Sequence, residues 1–463
     1  MALIFWLNEY MSSTTTNTPT KTTPQSLASM ASSVKADRNR AIDFYRVVAM
    51  LAVAFGHWLA LVAVSDSEGN LVGGNALEFV PSLSWATWLL QVMPLFFVVG
   101  GFSSAMSLDS HNREGSSGSG RAQDWIAARL RRMLPPAVVL GATWLVVLAL
   151  GAAAGQVTLA ATALHAAAIP LWFLANYTID TALAPFVLPA FRRNPARLAA
   201  ALGSAFLFFE GLRILDVPVL PQINWVLGWL IFQVMGMAWR DGMLPTGRTL
   251  VALAAGFWAA TVALVTSGGP WIVSMVNIAG VENSPTAPPT LSLMTFGAAF
   301  SLTAIAAAPR ISAMLAARPK AWVAVVGANT VAMSVYLWHM TAAIIVTAIM
   351  HFTVGLPTHE VGSFAWWMFK LPTIGASVFF LVPIVMIVSR FERNALLAPR
   401  RAWNGGIVSI LTVAIVTSTT LKLWSSGVVA TAAPALVVLV ALGATVLRPT
   451  KAAAVEATEL ASA

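Results

Sequence analysis

The 463-residue sequence contains no cysteine. That absence excludes disulfides, thiolate catalysis and cysteine-ligated metals. Charge is also scarce, at 10% of residues, where a soluble domain carries roughly 25%. No polar stretch is long enough to fold as an independent domain, and no internal repeat is visible. The segments of about ten residues with alternating polarity that build a membrane β-barrel are missing too. What remains is hydrophobic: 58% of the chain, gathered in blocks of about 20 residues, enough to cross a hydrocarbon layer of roughly 30 Å as helices.

The expected fold is therefore all-α, a polytopic membrane helix bundle. Twelve spans are expected, centred near residues 52, 95, 145, 180, 206, 230, 257, 300, 333, 378, 413 and 437. Loop charge sets their direction, because short cytoplasmic loops accumulate Lys and Arg. With an inside N-terminus, one side receives Arg113, Arg121, Arg129, Arg131, Arg132, Arg192, Arg193, Arg197, Arg240 and Arg248, then Arg310, Arg318, Lys320, Arg390, Arg393, Arg400 and Arg401. The other side receives only Arg213, Lys370 and Lys422. Both termini are expected in the cytoplasm, and topology accounts for the net charge of +9 without a nucleic-acid partner. Residues 1–37 read as a tail, Ser/Thr-rich over 12–36; residues 38–390 form the membrane core, 391–448 hold two further spans, and 449–463 are a second tail. The opening Met1-Ala-Leu-Ile-Phe-Trp6 is too short to span and has no basic leader, which makes it a poor signal peptide.

Within the first span, Arg46 and His57 are separated by about three helical turns and share a face, roughly 16 Å apart along the axis. Ionisable groups in a membrane helix are costly unless they face protein or water. His57 is either a general base or a histidine that packs helices together. Arg46 either grips an anion bidentately or extends to the interface, and Asp43, one turn earlier, is placed to pair with it. The run Arg129-Leu-Arg131-Arg132-Met-Leu-Pro135 is a topology signal or a polyphosphate cradle. Trp172-Phe-Leu174 follows Pro170 in the fourth span, and Tyr336-Leu-Trp-His339 lies late in the ninth, toward the outer side. Glu210 and Arg213 sit one turn apart as an internal ion pair. His351, His359 and Glu360 lack ligand spacing, so no metal is expected.

Taken in order, these segments resemble the acyltransferase 3 family of integral-membrane O-acyltransferases. The likeness rests on Asp43-Phe-Tyr-Arg46 with the Arg-x10-His spacing to His57, on Pro94-Leu-Phe-Phe-Val-Val-Gly-Gly-Phe102, on Arg129-x-x-Arg132-x-x-Pro135, on Trp172-Phe-Leu174 and on Tyr336-Leu-Trp-His339. It covers about 38 to 390. It implies His57 as catalytic base, with Arg46 and the Arg129, Arg131 and Arg132 cluster on the phosphates of acyl-coenzyme A, acetyl being the expected group. Trp172, Tyr336 and His339 would line the central site, with Asp43 and Glu210 counted among the lining. The implied acceptor is an extracytoplasmic glycan or lipid, the implied location a bacterial cell membrane, and no permanently bound cofactor is expected. Two departures from the family pattern stand out: no fused hydrolase-like domain is present, and Gly100 occupies the usual serine position before Gly101. The competing class is a proton-coupled transporter of an anionic solute, with His57, His339 and Glu210 as its relay.

Overall fold

The computed structural model describes residues 39–397, apart from 66–70, 114–120, 279–280 and 282–283. Its long helices are α1 (Arg40–Ala60), α2 (Met93–Arg113), α3 (Arg121–Ala153), a shorter α4 (Val157–Ala168), α5 (Leu171–Arg193), α6 (Pro195–Ile214), α7 (Asn224–Arg240), α8 (Gly247–Thr266), α9 (Leu291–Ala317), α10 (Pro319–Thr330), α11 (Ala332–Thr353) and α12 (Phe364–Leu397). Eight of the described segments are long and apolar enough to cross a membrane. The chain is a multi-pass membrane protein. The expected spans near 206 and 230 coincide with α6 and α7; α6 carries Arg197, Glu210 and Arg213, and α7 is 17 residues long. The expected spans near 413 and 437 lie outside the described residues.

The helices begin and meet where local chemistry dictates. Asn39 caps α1 by accepting from the Ala41 amide, and Asn194 caps α6 through the Arg197 amide, with Pro195 at the first helical position, where its missing N–H costs nothing. α2 and α7 cross at glycine: a Cβ on Gly101 would lie 1.9 Å from the Gln233 carbonyl oxygen, and one on Gly236 would lie 1.9 Å from that of Val98. Small residues let two backbones approach this closely, as is common between membrane helices.

Side-chain contacts define two ends. At one end, Arg192 is bidentate to Asp109 and to Asp241, and Arg240 joins the same carboxylates, tying together the ends of α2, α5 and α7. The start of α1 is held there as well, the Ala41 amide donating to Ser312 on α9 and Arg40 lying over the Trp322 ring of α10. At the other end, Trp88 and Gln91 donate to the carbonyls of Val273 and Met275, and Ser65 donates to Pro357.

Three expectations change. The segment after α1 is not simple loop: β1 (Leu61–Ser65) and β2 (Leu71–Asn75) pair antiparallel, Leu61 opposite Asn75, so the fold is not purely helical. A five-residue β-branched and aliphatic run beside two glycines favours a short hairpin over continued helix. Pro170 does not sit inside a span; it precedes α5, and the separate helix α4 runs up to it. The ninth span is also broken at Val331, so Tyr336–His339 fall in the first turns of α11 rather than late in their helix. Gly327 and the polar pair Asn329-Thr330 just before Val331 interrupt the apolar run there, a short turn-like signal that a span-length hydropathy window averages away.

Candidate active site

α1 is continuous from Arg40 to Ala60, so Arg46 and His57 keep the same-face relation expected of them. Each is met by a different set of neighbours.

His57 meets His339 of α11, its Nδ1 2.8 Å from the His339 Nε2. On its far side, His339 Nδ1 lies 2.6 Å from the carbonyl oxygen of Tyr336. A carbonyl only accepts, so His339 Nδ1 carries the proton. In the neutral pair His339 Nε2 is then the acceptor, and His57 Nδ1 the donor. The chain of bonds leaves Nε2 of His57 with an open lone pair. The Trp58 indole donates to the His339 carbonyl at 2.9 Å, and the Tyr336 hydroxyl donates to the Pro170 carbonyl at 2.8 Å. Adjacent residues of α1 thus hold His339 twice, and Tyr336 fastens α11 to the start of α5.

His57, Trp172 and Tyr336 line a cavity of about 880 Å³ that extends toward the hairpin end of the molecule. Its size falls in the range of small-molecule sites, roughly 300–1,000 Å³. His339 lies behind His57 and is fully buried.

Arg46 meets a second group. Its Nη2 donates to Ser103 Oγ at 2.9 Å, and its Nη1 lies 3.4 Å from both Asp43 Oδ1 and Asn329 Oδ1. Asn329, at the break before α11, donates to the Asp43 carbonyl at 3.0 Å. Arg129 reaches the same point, donating to the Ser103 carbonyl at 3.2 Å while its guanidinium lies 5.1 Å from the Trp125 ring. Two arginines far apart in the sequence therefore converge on Ser103 of α2. Arg132 is exposed on α3, and the side chain of Arg131 lies outside what is described.

Aromatic side chains pack around the level between these groups. Phe173 contacts Phe96, Tyr177 and Tyr336 with ring centroids 4.8, 5.3 and 5.2 Å away. The ring of Tyr177 rests against Gly100, where an added Cβ would lie 2.7 Å from it. The departure from serine at Gly100 is thus matched by an aromatic ring in the adjoining space.

Glu210 is not brought to either group. It pairs with Arg213 at 2.8 Å and accepts from the Trp271 indole and the Leu291 amide, both at 3.0 Å. It fastens the loop before α9 to the end of α6, and its charge sits at the N-terminus of α9, where the helix dipole favours an anion. Reading the sequence missed Ser103, Asn329 and Trp58, because nothing local marks a serine, an asparagine or a tryptophan as facing an ionisable group. It also missed Asn176, Asp180 and Gln233, buried polar side chains whose polar atoms have no hydrogen-bond partner among the described residues.

A family model described as an acyltransferase domain matches residues 39–390. No curated protein and no solved structure matches the chain.

Proposed function

Since the chain belongs to the acyltransferase 3 family, whose model spans residues 39–390, we propose that it moves an acyl group from acyl-coenzyme A to a hydroxyl of an envelope glycan or lipid, with His57 as general base. The observation that carries this reading is the directed hydrogen-bond chain from the Tyr336 carbonyl through His339 to His57. A neutral imidazole held in one tautomer, with its free nitrogen beside a cavity, is the arrangement that general-base catalysis requires.

The basic end faces the cytoplasm in this reading, consistent with the distribution of Lys and Arg. The phosphates of acyl-coenzyme A are met by Arg46 and Arg129, since guanidinium binds phosphate oxygens in a planar, bidentate fork. The pantetheine arm then spans the roughly 16 Å of α1 between Arg46 and His57, past Gly100 and Tyr177. The acceptor enters from the cavity side. Its hydroxyl gives a proton to His57 Nε2 and attacks the thioester carbonyl. A C–O ester bond forms, the C–S bond breaks, and the proton on His57 is passed to the departing thiolate. The protein contributes acid–base chemistry and positioning, and the acyl group is consumed from its donor. The location implied is a bacterial cell membrane, and acetyl is the expected acyl group.

The test is acetyl-coenzyme A turnover by the full chain in lipid nanodiscs. His57→Ala is expected to lower transfer by about 10²–10⁴-fold, the usual worth of a general base, while remaining monodisperse. Wild-type turnover by that variant would overturn the assignment. Arg46→Gln is expected to raise the KM for the donor and leave the KM for the acceptor unchanged.

A further inference from the structure

The cavity beyond His57 is divided by chemistry. One wall comes from the hairpin, the turn after it and the loop before α9, and presents Asn75, Glu78, Asn277, Ser284 and Thr286. Local backbone amides occupy one oxygen each of Asn75, Glu78 and Asn277, and Ser284 is bonded to the Ile278 backbone. The second carboxylate oxygen of Glu78, the carboxamide N–H groups and the Thr286 hydroxyl are suited to a hydroxylated head group. The facing wall is mostly apolar. On α11 it includes Met340, Ile344, Ala348 and Phe352, a stripe repeating every fourth residue that covers about 18 Å of helix, with Thr347 and His351 beside it. On α4 it includes Leu159, Ala163 and Ala166, with Ile169 just beyond and Thr162 and His165 at its outer edge.

The position of the mouth points the same way. Thr162 and His165 of α4 and Phe352 of α11 line the cavity and are also exposed. The cavity is therefore open along the α4–α11 side as well as at the hairpin wall, where Gly73, Glu78 and Val281 are exposed. Around the α4–α11 side stand exposed apolar side chains: Phe352 at 66%, Val354 at 81%, Ile349 at 45% and Val157 at 38% of their full accessible area. In a multi-pass membrane protein, exposed aliphatic and aromatic surface of this kind faces lipid.

We infer that the acceptor is a membrane amphiphile, with its alkyl chain along the α4–α11 stripe and its hydroxylated head against the hairpin wall, and that it enters sideways between α4 and α11. This rests on the acyl-transfer reading for the reaction and on the cavity alone for the site. A donor acyl chain would need the apolar wall and would leave the polar wall unused; an amphiphilic acceptor uses both.

The test uses the full chain in nanodiscs with acetyl-coenzyme A and methyl, octyl or dodecyl β-glucoside, each below its micellar concentration. The KM is expected to fall at least tenfold from methyl to dodecyl, since each buried methylene adds to binding. Ala163→Trp or Ile344→Trp, which fill the stripe, should lower the dodecyl-to-methyl ratio of kcat/KM. Equal KM values across the series, or rates that follow the donor's acyl length and ignore the acceptor's chain, would overturn the inference. A dodecyl glucoside bearing a diazirine on its chain provides a readout independent of turnover. Labelling of α4 or α11 peptides, competed by dodecyl but not by methyl glucoside and lost in Ala163→Trp, supports the site; labelling elsewhere, or labelling unaffected by competition, refutes it. Competed labelling without any acyl transfer would sustain the amphiphile site and reject the acyltransferase reading.

Discussion

His339 has no exposed surface, yet it determines which nitrogen of His57 is basic. Replacing it by Ala removes the acceptor for His57 Nδ1 and frees the ring to adopt the other tautomer or to rotate. Transfer is expected to fall by about 10²-fold or more in kcat, the lower range for losing an acid–base function, while the donor KM stays unchanged. His339→Gln, which keeps an acceptor, should recover part of that loss; equal rates for the two variants would show that the tautomer is not set by this contact. His57 stood out as a candidate from its place in an apolar helix and its spacing from Arg46, because an ionisable group in a membrane needs a reason to be there. The contact of His339 with His57 was only half legible. The residue type of His339 and its depth toward the outer side suggested chemistry, and the structure sets it level with His57, but its helix is distant in sequence and starts only at the unforeseen break at Val331. Ser103 and Asn329 could not be singled out at all, since serine and asparagine occur in membrane helices for packing as often as for contact with charge.

Between elements, the α2–α7 crossing is the most sterically constrained contact. Gly101→Ala sets a methyl 1.9 Å from the Gln233 carbonyl oxygen, a backbone atom that cannot turn aside. The helices must separate, at an expected cost of about 3 kcal/mol, the upper range for overpacking a core. A marked loss of monodisperse protein on size exclusion, with a lowered Tm for what remains, is the expected result; an unchanged Tm would mean that the crossing relaxes freely. The charged knot at the basic end makes a pH-dependent contribution. Hydrogen bonds from Arg192 hold the Asp241 carboxyl below the usual carboxylate range, with Arg240 adding to the effect. A carboxylate depressed on folding stabilises fully above its unfolded pKa of about 3.9 and loses that contribution as pH falls through its folded value. Thermal unfolding of detergent-solubilised protein should therefore show a Tm that drops on acidification below about pH 4, and Arg192→Gln should flatten that drop. Both features were partly written in the sequence. Gly100-Gly101 is conspicuous and the arginines are countable, but the partners Gly236, Asp109 and Asp241 are identified only once three helices are assembled.

Across the whole molecule, the family match and every residue of the two groups around His57 and Arg46 fall within residues 39–390. A chain ended after Leu397 is expected to insert and to retain most of its acyl-transfer rate in nanodiscs; loss of turnover with normal insertion would assign a role to the segment beyond. Composition and hydropathy determined by themselves that the chain lives in a membrane as helices, and loop charge determined its expected direction, because lipid imposes these constraints on every segment separately. Residue type and spacing on a single helix likewise determined the Arg46–His57 axis. Tertiary structure alone decided what those two residues meet. The convergence of Arg46 with Arg129 at Ser103, the directed pair of histidines, the removal of Glu210 to a loop anchor and the two-sided cavity all depend on which faces of distant helices touch. Those contacts are set by close packing between elements, which no periodicity along one segment encodes.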